Sequence, residues 1–155
     1  MTAILGFQGS WDMGHREGRI TAGDLTYVII GAFYYVHNTL GYGFLESVHA
    51  AALERVLIKR GRNVAREVRV PVWFEGEIIA YQRLDMVVDD TVVVEIKATP
   101  ALHDNALRQL RNYMKATGLP AGLLLHFSPT GAKVSRRTGD LIPGIPGIPK
   151  SQSSK

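Results

Sequence analysis

Apolar residues recur at helical offsets through two successive stretches, and the period then changes from that of a helix to the strict alternation of a strand. In the first stretch, Leu25 to Leu40, the residues Val28, Ile29, Ala32, Tyr35, Val36 and Thr39 fall on helical offsets. Asp24 stands before it as a plausible N-cap, and Gly41-Tyr42-Gly43 stops it. The second helix is expected from Phe44 to Arg60, with Leu45, Val48, Ala52, Leu53, Val56 and Leu57 at helical spacing and Gly61 as its stop. From Val64 to Phe74 the alternation predicts a strand, with Val64, Arg66, Val68, Val70, Val72 and Phe74 on one parity. Glu75-Gly76-Glu77 reads as a hairpin turn, Ile78 to Val88 as a second strand, Asp89-Asp90 as a turn, and Thr91 to Ala98 as a third strand. After Pro100 a helix is expected from Leu102 to Thr117, with Leu107, Leu110 and Met114 inward and Gly118 ending it. Ala121 to Phe127 is apolar almost throughout, as in a strand covered on both faces. The order α-α-β-β-β-α-β implies an α/β fold in which a mixed sheet is flanked by helices.

The ends of the chain lack this patterning. Residues 1–23 read as a flexible N-terminal arm without the basic start of a signal peptide, and residues 24–138 as the folded domain. Residues 139–155 carry a Gly-Ile-Pro repeat whose prolines prevent helix and sheet ladders, so a disordered tail is expected. With no cysteine, disulfides, thiolate zinc sites and iron–sulfur clusters are excluded. No run is long and uncharged enough for a membrane helix, so no membrane association is expected and the cytoplasm is the default location. The net charge of +4 is uneven. From Thr130 onward Lys133, Arg136, Arg137, Lys150 and Lys155 face only Asp140, and the remainder balances. A neutral body with a basic end suits a polyanionic partner, or equally a solvated tail.

Three ionisable residues interrupt the two most apolar strands: Asp85 in Leu84-Asp85-Met86, and Glu95 and Lys97 in Val92-Val93-Val94-Glu95-Ile96-Lys97. Burying a charge in a central strand costs several kcal/mol unless it is paired or ligates a metal. Glu95 and Lys97 are two apart and project from one face. Whether Asp85 joins them depends on the hairpin register. A two-residue turn at Asp89-Asp90 pairs Asp85 with Val94 and points the carboxylates apart. A three-residue loop over Asp89, Asp90 and Thr91, or a bulge, sets Asp85 opposite Glu95, and one of these is expected. Two adjacent carboxylates repel, and a hard divalent cation, Mg²⁺ or Mn²⁺, resolves the repulsion with oxygen ligands. Lys97 beside them can orient a water or neutralise charge on a phosphate. The plainer alternative is a surface ion pair at a sheet edge.

Two helices offer further candidates. Glu46, in the first turn of the second helix, is either an ordinary dipole-compatible acid or a third carboxylate for the metal. His49 is three residues on, with a structural role or a place at the site. Gln109 and Tyr113, four apart on the last helix, share a face opposite Leu110 and Met114 and could bind phosphate or a base edge, or be merely half-exposed polar residues. Arg108, Arg111 and Lys115 add positive charge to that helix.

Taken together these residues resemble the PD-(D/E)xK nuclease superfamily, and more closely its GxxExxY family. The stretch Val36-His37-Asn38-Thr39-Leu40-Gly41-Tyr42-Gly43-Phe44-Leu45-Glu46-Ser47-Val48-His49 carries the opening signature, with Gly43 and Glu46 at the name-giving positions and His49 in place of the tyrosine. Asp85 with Glu95-Ile96-Lys97 matches the superfamily core, and Gln109 with Tyr113 matches the Gln-x-x-x-Tyr motif of its RecB-like and Cas4-like branch. The resemblance implies a restriction-endonuclease-like core with a central four-stranded mixed sheet. It implies Mg²⁺ or Mn²⁺ held by Asp85 and Glu95, with Glu46 and the Ile96 carbonyl as further ligands, and Lys97 as the catalytic lysine. Gln109 and Tyr113 would position DNA or support Lys97. His37 matches a family histidine without an assigned role. The leading expectation is hydrolysis of DNA phosphodiester bonds by a metal-activated water. The alternatives are a catalytically silent nucleic-acid- or partner-binding module with the same fold, and an enzyme acting on RNA or another phosphodiester. A homodimer would suit cutting of both strands.

Overall fold

The computed structural model describes residues 20–139. The expected N-terminal arm and the Gly-Ile-Pro tail therefore lie outside the described residues, apart from the junctions at Ile20 and Gly139. Helix α1 spans Ala22–Leu40 and α2 spans Glu46–Lys59. Strands β1 (Val64–Phe74), β2 (Glu77–Val88) and β3 (Val92–Lys97) form the meander. Helix α3 (Ala106–Thr117) crosses over to β4 (Ala121–Ser128), and β5 (Gly131–Thr138) follows. The sheet runs β1-β2-β3-β4-β5 in space, antiparallel except for the parallel pair β3/β4. The architecture is thus α/β with a mixed sheet between helices, but with five strands rather than four and the order α-α-β-β-β-α-β-β. The additional strand, Gly-Ala-Lys-Val-Ser-Arg-Arg-Thr, is polar because it is an edge strand, and only Ala132 and Val134 pack on the core. Lys133, Arg136 and Arg137 are consequently carried on a sheet edge and not on a loose tail.

The cap of α1 and the inward stripes of α1 and α2 correct further expectations. Thr21, not Asp24, caps α1: the Asp24 amide donates to Thr21 Oγ1 at 3.1 Å, and the Thr21 hydroxyl donates to Asp24 Oδ2 at 2.6 Å. Asp24 is the third residue of a capping box, which satisfies two orphan amides reciprocally. The inward stripe of α1 runs Leu25, Ile29, Ala32, Phe33 and Val36, while Tyr35 is exposed beneath the Arg60 guanidinium, 5.8 Å away. In α2 the buried residues are His49, Ala50, Leu53 and Leu57, while Leu45 and Val48 face outward.

Two apolar layers hold the sheet. One, under α1 and α2, includes Phe33, Leu53, Met86, Val94, Ile96 and Phe127. The other, under α3, includes Val68, Leu84, Val87, Val93, Leu110 and Leu124. Met86 and Leu84 share a parity yet lie in opposite layers. The change of face falls at Asp85, opposite Glu67, whose φ of 52° puts a non-glycine residue in the left-handed region. The single parity expected along β1 is split at the same point: Val64 packs under the α1/α2 layer and Val68 and Val70 under α3.

Where α3 crosses β4 its side chains press on the β4 backbone. A Cβ on Gly122 would lie 2.7 Å from Met114 Sδ and 3.0 Å from Leu110 Cδ1. Gly122→Ala is therefore expected to destabilise the protein by about 1–3 kcal/mol through overpacking, read as a lower urea midpoint at an unchanged slope.

Candidate active site

The site is built where β2 and β3 part. Their ladder runs Val88↔Val92, Val87↔Val93 and Met86↔Val94, the register of the three-residue loop over Asp89, Asp90 and Thr91. Asp89 and Asp90 have φ of 49° and 50°, and Thr91 N donates to Val88 O at 3.0 Å. Asp89 is fastened from outside: its Oδ1 accepts from Asn63 N at 2.7 Å and its Oδ2 pairs with Arg62 Nη1 at 3.1 Å. Continued by one step, this register sets Asp85 opposite Glu95, and there side chains replace the ladder. Asp85 N donates to Glu95 Oε1 at 3.1 Å, and Ile96 N donates to Asp85 Oδ2 at 2.8 Å. Each carboxylate is thus fixed by a backbone amide of the opposing strand.

Glu95 is 4% exposed, and burial, reinforced by the Asp85 charge, pushes its carboxyl up to about 8. Lys97 and the Asp85 amide pull the other way without offsetting burial. Neither carboxylate has an ion-pair partner among the described residues. A buried glutamate beside a half-buried aspartate, both in need of positive charge and offering only oxygen ligands, fits a hard divalent cation.

Glu46 enters from the opposite layer. Its Oε1 accepts from Ala98 N at 3.1 Å, which holds it one residue beyond Lys97. Among the described residues no three of His, Asp and Glu converge closely enough to hold an ion between them. The structure therefore brings Asp85 and Glu95 together and leaves Glu46 at the rim. The geometric reason is that Ala98 continues the Ile96 side of β3 and packs with the α1/α2 layer, while Glu95 and Lys97 share the Val93 side under α3.

On that α3 side, Gln109 Nε2 donates to the Tyr113 hydroxyl at 2.7 Å. Burial, and then the Glu95 charge, pushes the Tyr113 phenol up to about 12. It stays protonated, with its oxygen engaged by Gln109. Tyr113 is not on a separate polar face as expected; it is buried in one cluster with Leu110 and Met114.

His49 makes no hydrogen bond to the carboxylates. It is fully buried, stacks on Phe127 with ring centroids 3.8 Å apart, and meets Phe44 edge-on at 6.1 Å. His37 lies tilted against the same Phe127 at 5.9 Å. Burial, and then the His37 charge, lowers the pKa of His49, so its ring packs uncharged against Phe127. A residue the pattern reading missed is His126. It is directly paired with Lys97 in the β3/β4 ladder and is 2% exposed. Its Nε2 lies 2.6 Å from Thr99 O, a partner that can only accept, so Nε2 carries the proton and clamps the backbone just beyond Lys97. A lone histidine in the apolar run Ala121 to Phe127 was the available signal.

Fold and site together define an α/β domain whose parted strands present an aspartate, a glutamate and a lysine in the Asp…Glu-x-Lys arrangement. The sequence profile of the PD-(D/E)XK nuclease superfamily matches residues 23–138, and the chain belongs to that superfamily. Among solved structures, it is similar to SSO0001 at 20% identity, with 81% of this chain and 70% of that one covered and a TM-score of 0.49. It is also similar to the alkaline exonuclease LHK-Exo from Laribacter hongkongensis at 16% identity, covering 77% and 71%, with a TM-score of 0.44. No curated protein matches the chain. Among the described residues no helix is long and apolar enough to cross a membrane.

Proposed function

We propose that this protein is a metal-dependent nuclease that hydrolyses DNA phosphodiester bonds. The observation carrying this reading is the pair Asp85–Glu95, with Glu95 buried, Asp85 half-buried and each cross-braced by a backbone amide. Asp85, Glu95 and the Ile96 carbonyl would hold Mg²⁺ or Mn²⁺, with Glu46 as an additional carboxylate at the rim. The ion, when bound, supplies Lewis acidity, polarising the phosphoryl oxygen and lowering the pKa of an adjacent water. Lys97 orients the attacking water and offsets the negative charge that grows on the phosphate. Tyr113, its oxygen held by Gln109, donates its phenol proton toward a phosphate oxygen or the Glu95 carboxylate. His126 keeps the segment beyond Lys97 in place. The signature around Gly43 and Glu46 and the Gln109–Tyr113 pair favour the GxxExxY family and its RecB-like and Cas4-like relatives.

The test is cleavage of linear and circular DNA, with RNA as comparison, in Mg²⁺, Mn²⁺ and EDTA. Cleavage in either metal and none in EDTA is expected. Lys97→Met is expected to leave Mn²⁺ affinity within a few-fold and lower the single-turnover rate about 10²–10³-fold. An unchanged rate removes Lys97 from the chemistry, and silence of the wild-type protein on every substrate leaves the binding-module reading.

A further inference from the structure

At the Glu46 rim of the site, an open cleft of about 550 Å³ is lined by Tyr42, Phe44, Leu45, Glu46, Ser47 and Ala98. It adjoins the proposed chemistry, because Ala98 follows Lys97 directly and its amide holds Glu46. The loop that forms it departs from what local stability favours. Leu45 occupies the N-cap of α2, where a Ser, Thr, Asp or Asn side chain would accept an orphan amide, and it makes no side-chain cap. Leu45 is 75% exposed, Phe44 49% and Tyr42 40%. Gly41 and Gly43, with φ of 71° and 117°, turn the chain so that these side chains stand together at the end of β3. Local rules broken without a packing gain point to function.

We infer that this cavity takes an unpaired nucleobase next to the scissile phosphate, so that the substrate is single-stranded at that position. The inference rests on the nuclease reading and deepens it. Charge argues for the base rather than a phosphate: the one Asp, Glu, Lys, Arg or His side chain lining the cavity is Glu46, which repels a phosphate and leaves a neutral base unaffected. Aromatic side chains take a base by stacking on its face, and a base presents that face only when unpaired. Glu46 belongs both to this lining and to the rim of the proposed site, and the Ala98 amide that holds it follows Lys97, so a strand bound at Lys97 has its neighbouring nucleotide here.

The experiment measures fluorescence anisotropy of a labelled single-stranded oligothymidine and of a labelled blunt duplex, with Ca²⁺ replacing Mg²⁺. Tyr42→Ala and Phe44→Ala are each expected to weaken single-strand binding about 5- to 100-fold, in line with stacking at one base, and to change duplex binding less than twofold. Phe44→Trp restores single-strand affinity, which separates stacking from damage to the His49 packing. Tyr27→Ala, on α1 and 81% exposed, leaves both affinities unchanged. Equal single-strand affinity in the alanine variants and the wild type overturns the inference. So does an equal loss on both probes, or a wild-type dimer in sedimentation that Phe44→Ala dissociates, since the loop then serves a second copy. If cleavage still depends on Asp85 in any of these cases, the nuclease reading stands and only the base pocket falls. A wild-type protein that neither binds nor cleaves DNA removes both.

Discussion

Asp85→Asn is expected to eliminate cleavage, by at least about 10³-fold in single-turnover rate, while leaving the protein folded and no less stable without metal. The two halves of this expectation have separate causes. An amide oxygen at position 85 still accepts from Ile96 N, so the side-chain brace across the parted strands survives. The charge does not survive. The cation loses a ligand, and the remaining carboxylate is too little to hold it against water. Glu95, whose pKa is raised in part by Asp85, is relieved of that repulsion. Calorimetric titration with Mn²⁺, a quenched-flow cleavage assay and thermal melts in EDTA read the three consequences independently. A variant that cleaves within tenfold of the wild-type rate at saturating Mn²⁺ would place the chemistry elsewhere. One that loses cleavage only by unfolding would show that Asp85 is a structural brace.

The central strands were readable because their constraints are local. An alternating or uniformly apolar run fixes which residues face which layer, and the loop over Asp89, Asp90 and Thr91 fixes the register. One residue of loop length decides whether Asp85 and Glu95 meet, and two charges in apolar strands made the meeting the better solution. What escaped depended on partners distant in sequence. The stripe of α2 is turned so that Glu46 and His49 face the sheet, because Phe127 supplies a ring for His49 and Ala98 an amide for Glu46. Neither β4 nor the end of β3 can be read from the helix itself. Strand β5 was invisible to hydropathy because an edge strand buries one side only and carries Lys133, Arg136 and Arg137. The switch of faces at Asp85 depends on the left-handed Glu67, and no propensity places a glutamate there. It too arises from pairing across the sheet.

In the metal-free protein, stability is expected to fall as pH rises from about 5 to 8, and Glu95→Gln is expected to remove most of that fall. Glu95 keeps its proton up to about 8 in the folded chain and releases it near 4.5 when unfolded. Between those values the folded state binds more protons than the unfolded state, so raising the pH favours unfolding. The separation corresponds to a few kcal/mol at most, since part of it is repulsion from the Asp85 charge rather than burial. Glutamine keeps an oxygen for the Asp85 amide and has no proton to lose, so its urea midpoint is expected to stay nearly level across the window and to exceed that of the wild type at pH 8. Adding Mn²⁺ reverses the order in the wild type only. The ion requires a deprotonated ligand, so it stabilises strongly at pH 8 and weakly at pH 5.5, and Glu95→Gln gains little at either. Parallel wild-type and Glu95→Gln profiles in EDTA would mean that another group carries the proton. The cost of holding Glu95 uncharged would then not be the force that draws a cation to the site.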